Sequence, residues 1–109
     1  MCKQFFGQMG RLLPEKADEY ASLHQNPWPE LMEALHNHHL RNYSIYQHGL
    51  WVFASFEYDG EDYDADMAML AQEPVMLRWW SFSKPCFERF AMGKHAEFYD
   101  DMQRIFYLE

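Results

Sequence analysis

This chain has little cysteine, few basic residues and no long apolar segment, and each shortage excludes a class of protein. Its 109 residues include two cysteines, Cys2 and Cys86, which lie far apart and indicate neither a disulfide framework nor a cysteine-based metal site. Nine Lys and Arg oppose seventeen Asp and Glu, and the net charge of −8 would repel a nucleic-acid backbone or an anionic membrane. No apolar run approaches the ~20 residues that span a bilayer. We therefore expect no nucleic-acid partner and no membrane partner.

Apolar and aromatic residues, in contrast, are abundant. Hydrophobic residues make up 49% of the chain and aromatic residues 18%, which is far more than a disordered chain contains. The length suits one domain, which we assign to residues 1–109. The first ten residues, MCKQFFGQMG, lack the continuous apolar region and cleavage site of a signal peptide, so a cytoplasmic protein is expected.

The first part of the chain predicts a strand followed by two helical segments. Residues 3–10 are typical of a strand whose two glycines indicate either a bulge or a close backbone approach. Pro14 suits the first turn of a helix, and an apolar stripe extends that helix to residue 24. Asn26 as a cap and Pro27 as the first helical residue predict a second segment, which breaks near residue 38 or 39.

A hairpin is predicted next. Two runs rich in β-branched and aromatic residues flank a turn at His48-Gly49. The alternation of side chains along a strand places Tyr43 and Ile45 on the same side of this hairpin.

The last part of the chain completes the fold class. Residues 61–71 predict one helix, and a segment that starts at Pro74 and ends or bends at Pro85 predicts another. The terminal RIFYL, at 104–108, predicts a last strand. The order β-α-β-β-α-β is that of an α+β, ferredoxin-like fold, an antiparallel sheet with helices on one face. The uncovered face predicts a homodimer of the dimeric α/β barrel type, with two sheets packed face to face.

Six histidines are candidates for proton transfer or metal binding. His36 and His39 are spaced i, i+3 as helical metal ligands are, but no matched carboxylate or thiol completes a ligand set, so no metal site is predicted. His24 shares one helical face with Tyr20 at i, i+4, beside a break rich in proline. Imidazoles ordinarily titrate near pH ~6.5, which suits proton transfer near neutrality. The alternative is a half-buried histidine bonded to the backbone.

Four aromatic residues, Tyr20, Tyr43, Trp79 and Trp80, form a second candidate set. They combine flat apolar faces with a hydrogen-bonding edge, as sugar pockets do, although aromatic stripes at helical spacing usually belong to a core. Met76 and Trp80 are i, i+4 partners, and Trp79 projects about 100° away, so one indole packs while the other lines a site. No nucleophilic triad, phosphate-binding loop or dinucleotide fingerprint accompanies these residues.

Four segments are similar, in order and spacing, to motifs of the L-rhamnose mutarotase family. They are EYASLHQNPWPEL at 19–31, RNYSIY at 41–46, RWW at 78–80 and IFYL at 105–108. The chain resembles this family over nearly its full length. The resemblance implies a dimeric ferredoxin-like fold and a cofactor-free interconversion of the α and β anomers of a 6-deoxy-pyranose.

The resemblance also implies residue roles. His24 falls on the family's catalytic acid, and Tyr20, Tyr43, Trp79 and Trp80 fall on its substrate-binding positions. Opening a pyranose requires a proton delivered to the ring oxygen and another removed from the anomeric hydroxyl, for which general acid–base groups suffice. A water or an unassigned side chain must accept the second proton.

Some features depart from the family's pattern or leave alternatives. His39 stands where relatives often have glycine, so the end of the second helix is made differently or is strained by about 1 kcal/mol. The segment FEYDGEDYDADMA, at 56–68, resembles a branch associated with L-fucose, which makes L-fucose an alternative substrate. A cofactor-free monooxygenase and a non-catalytic ligand-binding dimer of the same fold are further alternatives.

Overall fold

An antiparallel sheet with helices against one face organises the computed structural model, which describes residues 3–89 and 98–109. The strands are β1 (Gln4–Arg11), β2 (Leu40–His48), β3 (Trp51–Tyr58) and β4 (Tyr99–Met102), and the helices are α1 (Ala17–Leu23), α2 (Pro29–Asn37), α3 (Tyr63–Leu70) and α4 (Pro74–Ser83). Short 3-10 turns precede α1 at Pro14–Lys16 and follow α4 at Lys84–Cys86. The predicted β-α-β-β-α-β order is confirmed, with each helical connection built from two helices. Within the described ranges, no helix is long and apolar enough to cross a membrane.

Strand β1 lies at the centre of the sheet, in the order β2-β3-β1-β4. All eight of its residues pair with β3 without interruption. Every second residue of β3 is buried, as the two-residue period of a strand requires when one face is covered: these are Val52, Ala54, Phe56 and Tyr58. The alternate residues lie on the open face, which the helices leave uncovered.

Two separate apolar clusters occupy the helix-covered face. The buried residues of the first cluster lie beneath α2, α3 and α4 and are Leu31, Ala34, Leu40, Phe56, Tyr58, Leu70, Met76 and Trp79. Those of the second cluster lie near α1 and the turn after α4 and are Leu12, Tyr20, Val52, Cys86 and Phe87. The gap between the clusters is where polar side chains reach the covered face.

The cysteines carry no framework role in the described part of the chain. Cys86 is completely buried in the second cluster, and burial is the main cause that raises the pKa of its thiol. Cys2 lies outside the described residues.

The second helix begins at Pro29, so the prediction that it begins at Pro27 is wrong. Trp28 is extended, with φ −70° and ψ 136°, because the ring of a following proline clashes with helical backbone in the residue before it. Since Trp28 therefore cannot be helical, it occupies the N-cap position, and Asn26 does not cap the helix.

The prediction of a strand at 104–108 is also wrong. Strand β4 takes the edge of β1 beside residues 7–10, and the segment 104–108 has no regular structure. The guanidinium carbon of Arg104 lies 3.7 Å and 3.8 Å from the ring centres of Phe5 and Tyr107. This stacking holds the segment against the open face instead of along the edge of β1, although its composition is typical of a strand.

Gly10 marks a close approach and not a bulge. A Cβ atom there would lie 2.8 Å from the carbonyl oxygen of Phe98 and 2.9 Å from the ring of Phe87. Strand β1 pairs regularly throughout, and the bulge of this sheet lies in β2 at Asn42, whose φ is 50°. The missing side chain at Gly10 thus lets Phe87 of the second cluster pack on the centre of the sheet.

His39 follows α2 in the left-handed conformation, with φ 70°. Such a backbone costs a residue other than glycine about 1 kcal/mol or more, as expected at this position. The backbone N–H of Asp59 donates to the carbonyl of His39 at 3.1 Å, and the imidazole Nδ1 lies 3.4 Å from Asp59 Oδ1. These contacts hold the strained residue in place.

Replacing Gly10 by Ala is expected to lower the free energy of unfolding by about 1–3 kcal/mol, because the added methyl forces backbone or the Phe87 ring to move. Gly7→Ala is the matched control, since its Cβ would meet the Phe53 ring at 3.4 Å, an ordinary contact distance. Urea unfolding of both variants measures the difference. Equal stability would contradict the close approach at Gly10.

Candidate active site

A row of four residues crosses the covered face between the two clusters. Ile45 pairs with Ala54, Ala54 with Gln8, and Gln8 with Asp101, one residue from each strand. None of the four belongs to either cluster. The amide Nε2 of Gln8 donates to Asp101 Oδ1 at 3.0 Å. Ile45 and Ala54 are apolar, and the polar half of this cross-strand row, Gln8 and Asp101, is here called the polar row.

Helices α1 and α4 bring an imidazole between two aromatic rings. The rings of Tyr20 and His24 are 4.3 Å apart between centroids, and Trp79 meets His24 edge-on at 5.2 Å. Tyr20 and Trp79 are buried, and His24 is half-buried. The i, i+4 spacing thus places Tyr20 beside His24 as predicted, and the packing of α4 adds Trp79.

The hydrogen bonding of His24 determines what its ring can do. His24 caps the C-terminal end of α1, and its Nδ1 lies 2.9 Å from the carbonyl oxygen of Tyr20. Because a carbonyl oxygen only accepts, Nδ1 carries the hydrogen and donates it. In the neutral ring Nε2 then holds a lone pair, and in the imidazolium it is a donor. The alternative considered for His24, a half-buried histidine bonded to the backbone, is therefore observed. The Nε2 atom takes no part in that bond.

Four tyrosine hydroxyl groups lie close enough to influence one another. Burial raises the pKa of Tyr20, and the neighbouring phenols of Tyr99 and Tyr43 raise it further. Burial also raises the pKa of Tyr43, whose ring stacks on Phe56. Burial raises the pKa of Tyr63 and that of Tyr99 to about 12. These phenols remain protonated near neutral pH and act as hydrogen-bond donors.

The two adjacent tryptophans have different surroundings. Trp79 is buried in the first cluster and meets Trp28 edge-on, with 5.1 Å between ring centroids. Trp80 is half-buried, and the ammonium of Lys84 lies 4.1 Å from its ring centre. The prediction that one indole packs is confirmed for Trp79, and the prediction that the other indole lines a site stays a prediction for Trp80. The fully buried neighbour of Trp79 along the helix is Met76, three residues before it.

The histidines at 36–39 diverge. His36 is exposed, the Nε2 of His38 lies 3.5 Å from Glu73 Oε1, and His39 points to Asp59. In the part of the chain that the structure describes, no group of three or more His, Cys, Asp or Glu side chains is placed to hold a metal ion.

Several polar residues of this region are absent from the predicted site residues. The structure adds Gln8, Tyr63, Tyr99 and Asp101 to the predicted set. In the sequence, these residues are marked only by polar side chains at strand positions that face the helices. This pattern can be recognised only after the strands have been assigned. Because the last strand was predicted five residues too late, Tyr99 and Asp101 had no assigned face.

Comparison with known proteins relates this chain to a known family. A family model described as L-rhamnose mutarotase matches residues 6–108. An L-rhamnose mutarotase of Escherichia coli is 31% identical over 98 residues, which cover 87% of this chain and 88% of that protein. One from Lactiplantibacillus plantarum is 29% identical over 105 residues, covering 94% and 96%.

Solved structures show the same fold. The L-rhamnose mutarotase of Formosa agariphila superposes with a TM-score of 0.74 at 20% identity, covering 97% of this chain and 99% of that one. A putative antibiotic biosynthesis monooxygenase from Chloroflexus aurantiacus gives a TM-score of 0.55 at 11% identity, covering 97% and 98%. At these identities the likeness shows the fold alone.

The fold and the site define a ferredoxin-like α+β protein whose covered face holds an imidazole among aromatic rings and phenols. The sequence comparisons are more specific. The chain belongs to the L-rhamnose mutarotase family, whose members are isomerases that act on a sugar.

The raised pKa values of two half-buried phenols predict a loss of stability in alkali. Tyrosines of the unfolded chain ionise near pH ~10, whereas Tyr63 and Tyr99 of the folded protein ionise near a pKa of about 12. Their contribution is fully present below about pH 10 and is lost as the pH rises toward about 12, because ionisation favours the unfolded state. Tyr99→Phe should make this decline less steep. Urea unfolding across that interval measures the slope, and an unchanged slope would contradict the burial of the Tyr99 hydroxyl.

Proposed function

We propose that this chain interconverts the α and β anomers of L-rhamnose by opening and reclosing the pyranose ring, with His24 as the acid that protonates the ring oxygen. The observation that carries the proposal is the bond from His24 Nδ1 to the Tyr20 carbonyl, which leaves Nε2 as the nitrogen that exchanges protons. As imidazolium, Nε2 donates to the ring oxygen, and as neutral imidazole it takes the proton back on closure. Proton transfer of this kind needs side chains only, and no cofactor is invoked.

The neighbouring aromatic residues supply the binding surface in this proposal. The hydroxyl groups of Tyr20 and Tyr43, held protonated by burial, donate hydrogen bonds to sugar oxygens. The indole of Trp80 contacts the apolar C–H face and the methyl group of a 6-deoxy sugar, and the buried Trp79 borders the binding surface only where it meets His24. We further propose a cytoplasmic location, which rests on the family to which the chain belongs.

Exchange between the anomers tests the activity and the role of His24. Saturation transfer between the anomeric protons of L-rhamnose should show acceleration by the wild type that falls by about 10²-fold or more in His24→Ala, as for loss of a general acid. His36→Ala is the control, since His36 is exposed on α2, and it should keep wild-type exchange. L-fucose and a hexose are run in parallel to establish the preferred sugar.

The results separate the alternatives. Equal acceleration by the wild type and His24→Ala would remove His24 from the mechanism. No acceleration of any 6-deoxy sugar would refute the enzymatic function and favour a binding protein. Faster exchange of L-fucose than of L-rhamnose would assign the other substrate.

A homodimer completes the proposal. Tyr46, Trp51, Phe53 and Met102 expose apolar surface on the open face, where Tyr46 pairs with Phe53 across β2 and β3. Such a surface on a small domain suits face-to-face packing of two sheets about 10 Å apart. The two copies would then carry their sites on the outer, helix-covered faces.

Phe53→Glu should convert the dimer to a monomer, because it would bury a carboxylate between the sheets without a partner. Light scattering after size-exclusion chromatography measures the mass. Met69→Glu places the same charge at an exposed apolar position on α3 and should leave the mass unchanged. A wild type that elutes as a monomer would refute the dimer.

A further inference from the structure

We propose that Asp101 is the second acid–base group of this site, whose carboxylate accepts the proton of the anomeric hydroxyl as the ring opens and returns it as the ring closes. This inference rests on the proposed sugar isomerisation. It assigns a residue to the proton acceptor that the sequence analysis left open.

The sheet register places Asp101 on the covered face. Asp101 pairs with Gln8, and Gln8 pairs with Ala54, a buried residue of that face. The neighbouring Asp100 pairs with Met9 and therefore faces the other side of the sheet. Since β4 is an edge strand, Asp101 is exposed at the rim of the covered face and accessible to a ligand.

Gln8 orients the carboxylate. Its amide donates to Oδ1 at 3.0 Å, which leaves Oδ2 outside that bond. A hydrogen bond from a neutral donor on the next strand fixes the direction of the carboxylate. Unlike an ion pair, this bond leaves the negative charge of the carboxylate in place. Asp101 is thus a positioned base and not a freely rotating surface acid.

The other polar groups of the region are poor proton acceptors. The phenols of Tyr20, Tyr43, Tyr63 and Tyr99 stay protonated, and an amide such as that of Gln8 does not take up a proton near neutrality. Asp101 lies close enough to Tyr63 that, after burial, its charge is the next cause that raises the pKa of that phenol. Of the polar row and these phenols, the Asp101 carboxylate alone is suited to accept a proton.

The proposed step balances in atoms and electrons. The His24 imidazolium gives the proton on Nε2 to the ring oxygen, and the anomeric hydroxyl gives its proton to the Asp101 carboxylate. The C1 to ring-oxygen bond breaks with its electron pair remaining on the ring oxygen, while the electron pair of the O–H bond forms the aldehyde C=O. Rotation about C1–C2 presents the other face of the carbonyl, and closure reverses both proton transfers. No oxidant, reductant or metal takes part.

Asp101→Asn is the decisive variant, because it keeps the size of the side chain and an acceptor for Gln8 but removes the base. We expect kcat for L-rhamnose exchange to fall by about 10²-fold while KM changes less than about twofold. Asp100→Asn, one residue away on the opposite face, is the matched control and should retain wild-type kcat. A kcat for Asp101→Asn equal to that of Asp100→Asn would overturn the assignment, as would a change confined to KM.

Chemical rescue separates a proton acceptor from a structural carboxylate. Formate should restore exchange in Asp101→Gly but not in His24→Ala, after subtraction of the rate that formate produces without protein. Failure of formate to rescue folded Asp101→Gly would overturn the role as base. If the glycine variant does not fold, the comparison of Asp101→Asn with Asp100→Asn decides alone.

These outcomes distinguish the inference from the function on which it rests. A wild type that accelerates L-rhamnose exchange, with an unaffected Asp101→Asn, overturns only the role of Asp101. A wild type that accelerates no sugar overturns the proposed function.

Discussion

Uninterrupted pairing of β1 with β3 is the constraint on which the other features of this molecule depend. Because side chains alternate between faces with a period of two residues, this register places Gln8 beside Ala54 on the covered face. The pairing of β1 with β4 then adds Asp101 to the same line. A slip of β1 by one residue would send Gln8 to the open face and bring Gly7 or Met9 to the covered face in its place.

The division of the core into two clusters follows from the same register. The row through Ala54 and Gln8 belongs to neither cluster, and Phe56 of the first cluster and Val52 of the second lie on either side of it along β3. Helix α1 belongs to the second cluster through Tyr20, whereas α4 belongs to the first through Trp79. His24 contacts both rings and therefore lies where the two clusters meet. The site is thus a consequence of how the core is divided.

Local patterns predicted most of the elements but not all of their limits. Pro74 begins α4 as expected, because its fixed φ suits a first helical turn and its missing N–H costs nothing there. Two successive X-Pro steps made the start of α2 ambiguous, and the extended conformation forced on Trp28 decided it. The last strand was misplaced because the composition of 104–108 is typical of a strand. Which segment pairs with the edge of β1 depends instead on competition between neighbouring segments, and β4 is the segment that pairs there.

The sequence by itself determined what lies within a few residues: the shared helical face of Tyr20 and His24, and the divergence of Trp79 from Trp80. The sequence also supported the family assignment, because four of its segments are similar to the family's motifs in order and spacing. Only the tertiary structure decided which indole is buried, which hydroxyl groups gather and that Gln8 meets Asp101, 93 residues away. The reason is physical. Helical spacing follows from the backbone geometry of a single turn, whereas contacts between strands depend on a register that no local dihedral angle specifies.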